Sequence, residues 1–249
     1  MAFPFQPAIT APRQTRVRAL RRLAVRLWDQ ALQPLCLNCR IDPEFNHGLC
    51  EKCLQLISFN TTCCDICARP LTQNLICGQC QKNPPSFDGV LTPLLYLDPV
   101  NRFLCGLKYR EQFSFARFAA GVIANHALKT PQKTPDMICP VPMTSKALRK
   151  RGFNQSAFIG QLIAWQLAIP MSGKWIFKTR DTPHQSDLKA PERQNNLKGA
   201  FDCKCQVRGK HIVIVDDVLT TGATANELSK TLKKNGASRV DIWTCARTA

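Results

Sequence analysis

The segment 212–224, IVIVDDVLTTGAT, restricts the possible folds of this chain more than any other feature. It begins with four apolar β-branched residues, with no polar residue between them. Such a run is typical of a parallel strand that is buried on both faces of its sheet. Ligands of parallel sheets bind at the carboxyl ends of the strands, and there the chain places Asp216 and Asp217. The segment therefore predicts an α/β fold with a ligand site beside two acids.

The residues that follow the acid pair are typical of an anion-binding turn at the start of a helix. They are Thr220, Thr221, Gly222, Ala223 and Thr224. Because carboxylates repel a phosphate, the expected partners of the acids are the hydroxyls of a ribose, or a Mg²⁺ ion held between sugar and pyrophosphate. The order of the residues predicts a sugar beside the acids and its 5′-phosphate in the turn.

This segment resembles the motif with which type I phosphoribosyltransferases bind phosphoribosyl pyrophosphate (PRPP). An ordinary buried strand accounts for the segment less well, because it gives no reason for adjacent acids. The strand of an ATPase that ends in acids requires a GxxxxGK[ST] phosphate loop elsewhere, and the sequence contains none. The phosphoribose interpretation is therefore favoured.

Eight of the 14 cysteines form four CxxC pairs with regular spacing. Two such pairs complete a tetrahedral Zn²⁺ site, so two structural zinc ions are predicted, each with no open position for a substrate. Sequential pairing assigns the first four cysteines to one ion and the last four to the other, and the spacing leaves crossed pairing open. A redox or disulfide cluster explains the regular spacing less well, and Cys63 is expected to be a bystander. The predicted ligands are Cys36, Cys39, Cys50, Cys53, Cys64, Cys67, Cys77 and Cys80.

Composition indicates the kind of partner. The formal net charge of +17 favours polyanions, either phosphorylated metabolites or nucleic acid. No apolar run is long enough to predict a membrane span. Clustered cysteines without a signal-peptide pattern predict a cytoplasmic protein.

Three parts are predicted along the chain: a basic segment at 1–34, a double zinc ribbon at 35–82 and an α/β domain at 88–249. Prolines in the sequence KNPPSFDG mark the boundary before the last part. Residues 1–34 have the spacing of a helix with many arginines. A transit peptide, a basic surface helix and a packed N-terminal helix all fit, and the last is favoured because the cysteine module follows within a few residues.

Strands and helices alternate in the third part, which predicts a doubly wound parallel sheet. The first helix is predicted to bury one face, with Phe115, Phe118, Ala119, Val122 and His126. The second is predicted to bury Ala225, Leu228 and Leu232. Predicted strands cover 90–97, 138–141, 175–178, 211–215 and 240–246, and predicted helices cover 113–128 and 223–235.

Polar groups outside these elements include a Lys–Tyr–Arg triplet at 108–110 and the sequence RKRGFNQS at 149–156. A solvated basic surface explains the charges. It does not explain Gly152, Asn154 and Gln155, which favour a shaped turn that binds a ligand.

The four CxxC pairs, LKY, PVP, RKRGFNQS, a TxxQxxL loop and IVIVDDVLTTGAT occur in an order that resembles the ComF family, also called GntX-like or competence protein F. The resemblance runs from about Cys36 to the end of the chain. It implies a zinc-bearing N-terminal module on a type I phosphoribosyltransferase fold, with members linked to DNA uptake in natural transformation.

The resemblance also implies roles for single residues. Asp216 and Asp217 match the ribose-binding acids, and the turn from Thr220 to Thr224 matches the 5′-phosphate loop. Lys108 and Arg151 are expected at the pyrophosphate. Arg193 or Lys189 is expected to close over the reaction centre, and Arg193 is expected to share in catalysis with the acid pair.

The sequence leaves two functions open. One is an active phosphoribosyltransferase that uses Mg²⁺ and PRPP. The other is a non-catalytic protein that binds single-stranded DNA, acts with DNA-uptake proteins and uses the PRPP-type site for sensing or backbone contact. The sequence indicates no pocket or base for an acceptor substrate.

Overall fold

A computed structural model describes residues 35–41, 48–73, 75–110, 113–130, 134–180 and 197–249 of the chain. The predicted basic segment 1–34 lies outside these residues. Within the described ranges, no helix is both long enough and apolar enough to cross a membrane.

Five parallel strands form the central sheet. These strands are β1 (Gly89–Leu91), β2 (Leu94–Leu95), β3 (Met137–Pro140), β6 (His211–Leu219) and β7 (Arg239–Arg247). The main path of the sheet runs β1-β7-β6-β3, and β2 pairs with the far end of β7. A separate antiparallel pair consists of β4 (Ile176–Lys178) and β5 (Phe201–Cys203).

Helices cover both faces of the sheet, which confirms the predicted doubly wound α/β fold. In chain order they are α1 (Glu51–Leu54), α2 (Gly78–Lys82), α3 (Val100–Arg110), α4 (Ser114–Lys129), α5 (Ser145–Arg151), α6 (Gln155–Leu167) and α7 (Ala223–Lys234). On one face, α4 and α6 pack against a core that includes Val213, Val215 and Trp243. On the other face, α7 packs against Ile214 and Ile242.

The first cysteine group belongs to the main core. Cys36, Cys50 and Cys53 are buried in the same cluster as Leu104 and Leu107 of α3. The second cysteine group forms a small cluster of its own. The two halves of the cysteine module are therefore supported in different ways.

Two strand predictions were inaccurate. Strand β6 continues four residues beyond Val215, because β7 is equally long and pairs with Val218 and Leu219. The segment predicted as one strand at 90–97 is broken into β1 and β2 by Thr92 and Pro93.

The buried face of α4 was also predicted incorrectly in part. Phe115, Phe118 and Ala119 are buried as expected, but His126 is exposed and Ile123 is fully buried. More than one face of α4 is buried, since the helix contacts both α6 and the sheet. For α7, the predicted inward positions Ala225, Leu228 and Leu232 are confirmed.

Candidate functional site

The acid pair and the threonine–glycine turn lie together at the carboxyl edge of the sheet. Asp216, Thr220 and the residues Gly222 to Thr224 line one cavity of about 40 Å³, which Val141 also borders after β3. The structure therefore brings one predicted sugar-binding acid and most of the predicted phosphate loop to the same small space.

Asp216 is held in place by α6. The Ser156 hydroxyl donates a hydrogen bond to Oδ1 of Asp216 at 2.7 Å, and the Asp217 amide donates to the same oxygen at 2.9 Å. Burial, together with the neighbouring charge of Asp217, raises the pKa of Asp216 to about 7. Both donors use Oδ1 of Asp216. No donor among the described residues forms a hydrogen bond with Oδ2, so this oxygen remains for a ligand.

Asp217 has a different environment. It is 4% exposed, and its Oδ2 lies 2.5 Å from the Lys108 Nζ. Burial alone would lower the pKa of Lys108, but the charge and hydrogen bond of Asp217 raise it above its usual value. In this structure Lys108 neutralises an acid, and its predicted contact with pyrophosphate remains a prediction.

The predicted phosphate loop ends at the N-terminus of α7. The N-cap residue there is a glycine, so it has no side chain that could cap the helix. Gly222 is the N-cap of the 12-residue α7, with φ of 77°, a conformation that favours glycine. The Thr221 hydroxyl accepts a hydrogen bond from the Ala223 amide at 3.3 Å. Amides and the helix dipole at such an end favour a bound anion.

The sequence RKRGFNQS spans the end of α5, the turn that follows it and the start of α6. Asn154 caps α6 by accepting from the Ala157 amide, and its amide group donates to the Val141 carbonyl at 3.0 Å. Arg151 donates to the Gln155 side chain at 3.0 Å. The shaped turn predicted from Gly152 and Asn154 thus positions the start of α6.

Ser156 contacts the acid pair, and the sequence did not identify it. It belongs to the RKRGFNQS motif, but nothing in the sequence connects it to an acid 60 positions away. Arg193, the third predicted catalytic residue, lies outside the described residues.

The cysteines form two groups, 36/39/50/53 and 64/67/77/80, and within each group the four sulfur atoms lie within 4.8 Å of one another. Tetrahedral zinc with bonds of about 2.3 Å places sulfur atoms about 3.8 Å apart. The Cys39–Cys50 and Cys67–Cys77 sulfur distances are 3.9 and 3.8 Å. The two groups therefore fit structural zinc with sequential pairing.

One thiol in each group is predisposed to ionise. Burial alone would raise the pKa of Cys36, but hydrogen bonds from backbone amides, that of Cys50 first, lower it to about 6. Amide donors act in the same way on Cys64 and lower its pKa to about 7. Thiolates are the form that binds zinc.

Comparisons with known proteins agree with this architecture. A double zinc ribbon domain matches residues 27–81, and a phosphoribosyl transferase domain matches residues 177–248. The DNA utilization protein YhgH of Salmonella typhimurium is 34% identical over 220 residues, which cover 86% of this chain and 97% of that protein. Competence protein F of Haemophilus influenzae is 32% identical, with 85% and 96% covered. The chain belongs to the ComF family.

A solved structure was also found by comparison of folds. Glutamine PRPP amidotransferase from B. subtilis covers 52% of this ComF-family chain at 21% identity, with 26% of that chain covered and a TM-score of 0.35. The predicted double zinc ribbon and the phosphoribosyltransferase-type domain follow from the family models and from the geometry described above.

We predict that each chain holds two zinc ions with sequential pairing. Metal analysis of the double variant Cys36→Ser/Cys53→Ser should show one zinc, because both changes fall on one group. Crossed pairing would place these cysteines on different ions, and the variant would then lose both. The matched control Cys63→Ser should keep two.

We also predict that Asp216 opposes folding at higher pH. Its pKa is raised, so between about pH 4 and 7 the folded state holds a proton that the unfolded state lacks, and its contribution to stability falls as the pH rises through this window. Asp216→Asn should therefore gain stability relative to the wild type as the pH rises from about 4 to 7, with little further gain above that range, in urea unfolding. The exposed Asp202→Asn is the control, and the same gain there would contradict the assignment.

Proposed function

We propose that this chain binds Mg²⁺–PRPP or a related phosphoribose at the carboxyl edge of its sheet, as a phosphoribosyltransferase-family protein of ComF type. The proposal is supported by the cavity that Asp216 shares with Thr220 and with residues Gly222 to Thr224 of the loop. A carboxylate suits sugar hydroxyls or Mg²⁺, and the amides of a helix start suit a phosphate.

The cavity is smaller than the proposed ligand. About 40 Å³ is little more than the volume of one water molecule, so the loop would have to open for the 5′-phosphate to bind against its amides. The ribose would then lie over Asp216, and the pyrophosphate would extend beyond it. Arg151, with Lys108 if it leaves Asp217, is the proposed source of positive charge for the pyrophosphate, and Arg193 is the predicted residue that closes over it. Mg²⁺ would neutralise the pyrophosphate as it departs.

The biological role proposed for the chain comes from its relatives. Proteins named DNA utilization protein and competence protein F match it over most of their length. We propose a role in the uptake or use of DNA, in the cytoplasm, where clustered thiols such as these are kept reduced.

The proposal predicts a pH-dependent affinity for PRPP in calorimetry with Mg²⁺. If the ligand requires ionised Asp216, the affinity should rise as the pH passes through about 7, by up to about tenfold per pH unit below that value. Asp216→Asn should bind at least tenfold more weakly and without this dependence. Binding by the wild type that is independent of pH from 5 to 9 would contradict the role of Asp216.

Ser156→Ala provides a sharper test of the same geometry. Its hydroxyl stabilises the ionised form of Asp216, so its removal should move the midpoint of the affinity curve to higher pH. Ser145→Ala, at the exposed start of α5, should leave the midpoint in place. Release of pyrophosphate in the presence of a nucleobase panel would distinguish turnover from binding alone.

A second candidate function, binding of single-stranded DNA, is favoured by one surface. Helix α5 has no buried residue and exposes Lys146, Arg149 and Lys150. The turn after α5 carries Phe153, and the Phe113 ring lies 5.0 Å from that of Phe153 and 5.2 Å from that of Phe158. Exposed cations and aromatic rings are the groups that bind single strands.

We predict that removal of the cations of this surface reduces the salt dependence of DNA binding. Lys146→Ala/Arg149→Ala/Lys150→Ala should weaken binding of an oligonucleotide and reduce the slope of log affinity against log salt by about 2, as expected for three lost phosphate contacts. The control Arg208→Ala/Lys230→Ala/Lys234→Ala removes the same charge from exposed positions elsewhere. Equal losses in both variants would show that total charge, rather than this surface, governs binding.

A further inference from the structure

Arg247 occupies an unusual position at the end of β7. It is 2% exposed, and its guanidinium donates to backbone carbonyls on two sides. On one side Nη1 donates to the carbonyls of Leu219, the residue before the phosphate loop, and Thr220, the first residue of the loop. On the other side Nε donates to the carbonyl of Cys67 at 3.1 Å. One side chain thus joins the second cysteine group to the loop.

The charge of this guanidinium requires compensation. A buried cation is costly unless negative charge lies nearby, and among the described residues no carboxylate forms an ion pair with Arg247. Zn²⁺ with four thiolates carries a net charge of −2. Cys67 is itself one of the four thiols of the second group, so the metal-loaded group supplies the missing counter-charge.

The second cysteine group lies close to the loop along another path as well. Cys67 and Cys80 line a cavity of about 690 Å³ whose wall also includes Thr221 and Gly222. This open space separates the group from much of the loop. The hydrogen bonds of Arg247 are therefore placed to transmit a conformational change in the group to the loop.

The first cysteine group lies in a different environment from the second. Cys36, Cys50 and Cys53 are buried against the core of α3 and α4. Among the described residues, no hydrogen bond joins Arg247 to that group.

We propose that Arg247 is a positioning residue that makes the conformation of the phosphate loop depend on metal in the second cysteine group, and not in the first. With the metal bound, the turn that carries Cys67 is fixed and the group is anionic, so Arg247 remains between Cys67 and the two loop carbonyls. Without the metal, the turn relaxes and the counter-charge is lost. Leu219 and Thr220 then lose their donor, and the loop becomes less ordered.

Hydrogen exchange tests this coupling without any ligand. The amides to follow are those of residues 218–223 and of Thr248, whose N–H donates to the Leu219 carbonyl. Exchange there should accelerate at least tenfold in Arg247→Met and in Cys80→Ser, which disrupts the second group. Cys53→Ser, which disrupts the first, should match the wild type at these amides.

The coupling would be overturned by unchanged exchange in either Arg247→Met or Cys80→Ser, or by equal acceleration in Cys53→Ser. If Arg247→Met does not fold, the comparison of Cys80→Ser with Cys53→Ser decides the question by itself. Zinc content measured on each protein verifies which group was lost.

The consequence for ligand affinity rests on the proposed phosphoribose binding and has its own measurement. Ribose 5-phosphate, titrated in calorimetry, should bind Arg247→Met at least tenfold more weakly than the wild type. Lys234→Met, which removes an exposed charge from the end of α7, should bind as the wild type does. Equal affinity in all three proteins would overturn the effect on the ligand. Failure of the wild type to bind would instead contradict the proposed function, and the exchange result would still decide the coupling.

Discussion

The pairing of β6 with β7 beyond the acid pair is the interaction on which the site depends. It continues through Val218–Ala246 and Leu219–Arg247, so the backbone remains fixed until the residue before the phosphate loop. If β6 ended at Val215, both acids would lie in a flexible turn, and their positions relative to the loop would not be defined. The same pairing brings Arg247 opposite Leu219, where its guanidinium reaches the loop carbonyls.

Two adjacent acids in one strand receive different environments from this arrangement. Asp217 is buried and its charge is balanced by Lys108, whereas Asp216 borders the loop cavity and holds its proton more strongly than an ordinary carboxyl group. Asp217 joins α3 to the sheet through Lys108. We propose that Asp216 is the acid of the pair that contacts the sugar.

Much of the architecture could be predicted because it follows from local patterns. The apolar run before Asp216, the CxxC spacing and the glycine before α7 each have one dominant structural explanation. Contacts between distant segments could not be predicted in the same way. The bond from Ser156 to Asp216, the ion pair of Lys108 with Asp217 and the bridge from Arg247 to Cys67 join residues 60, 109 and 180 positions apart.

A crystal structure of the chain with ribose 5-phosphate and Mg²⁺ would show whether the loop beside Asp216 binds a phosphate. We expect the phosphate within hydrogen-bonding distance of the backbone amides between Thr221 and Thr224, with a ribose hydroxyl or the metal on Oδ2 of Asp216. A phosphate bound elsewhere on the surface, with the cavity beside Asp216 occupied only by water, would rule out this mode of binding.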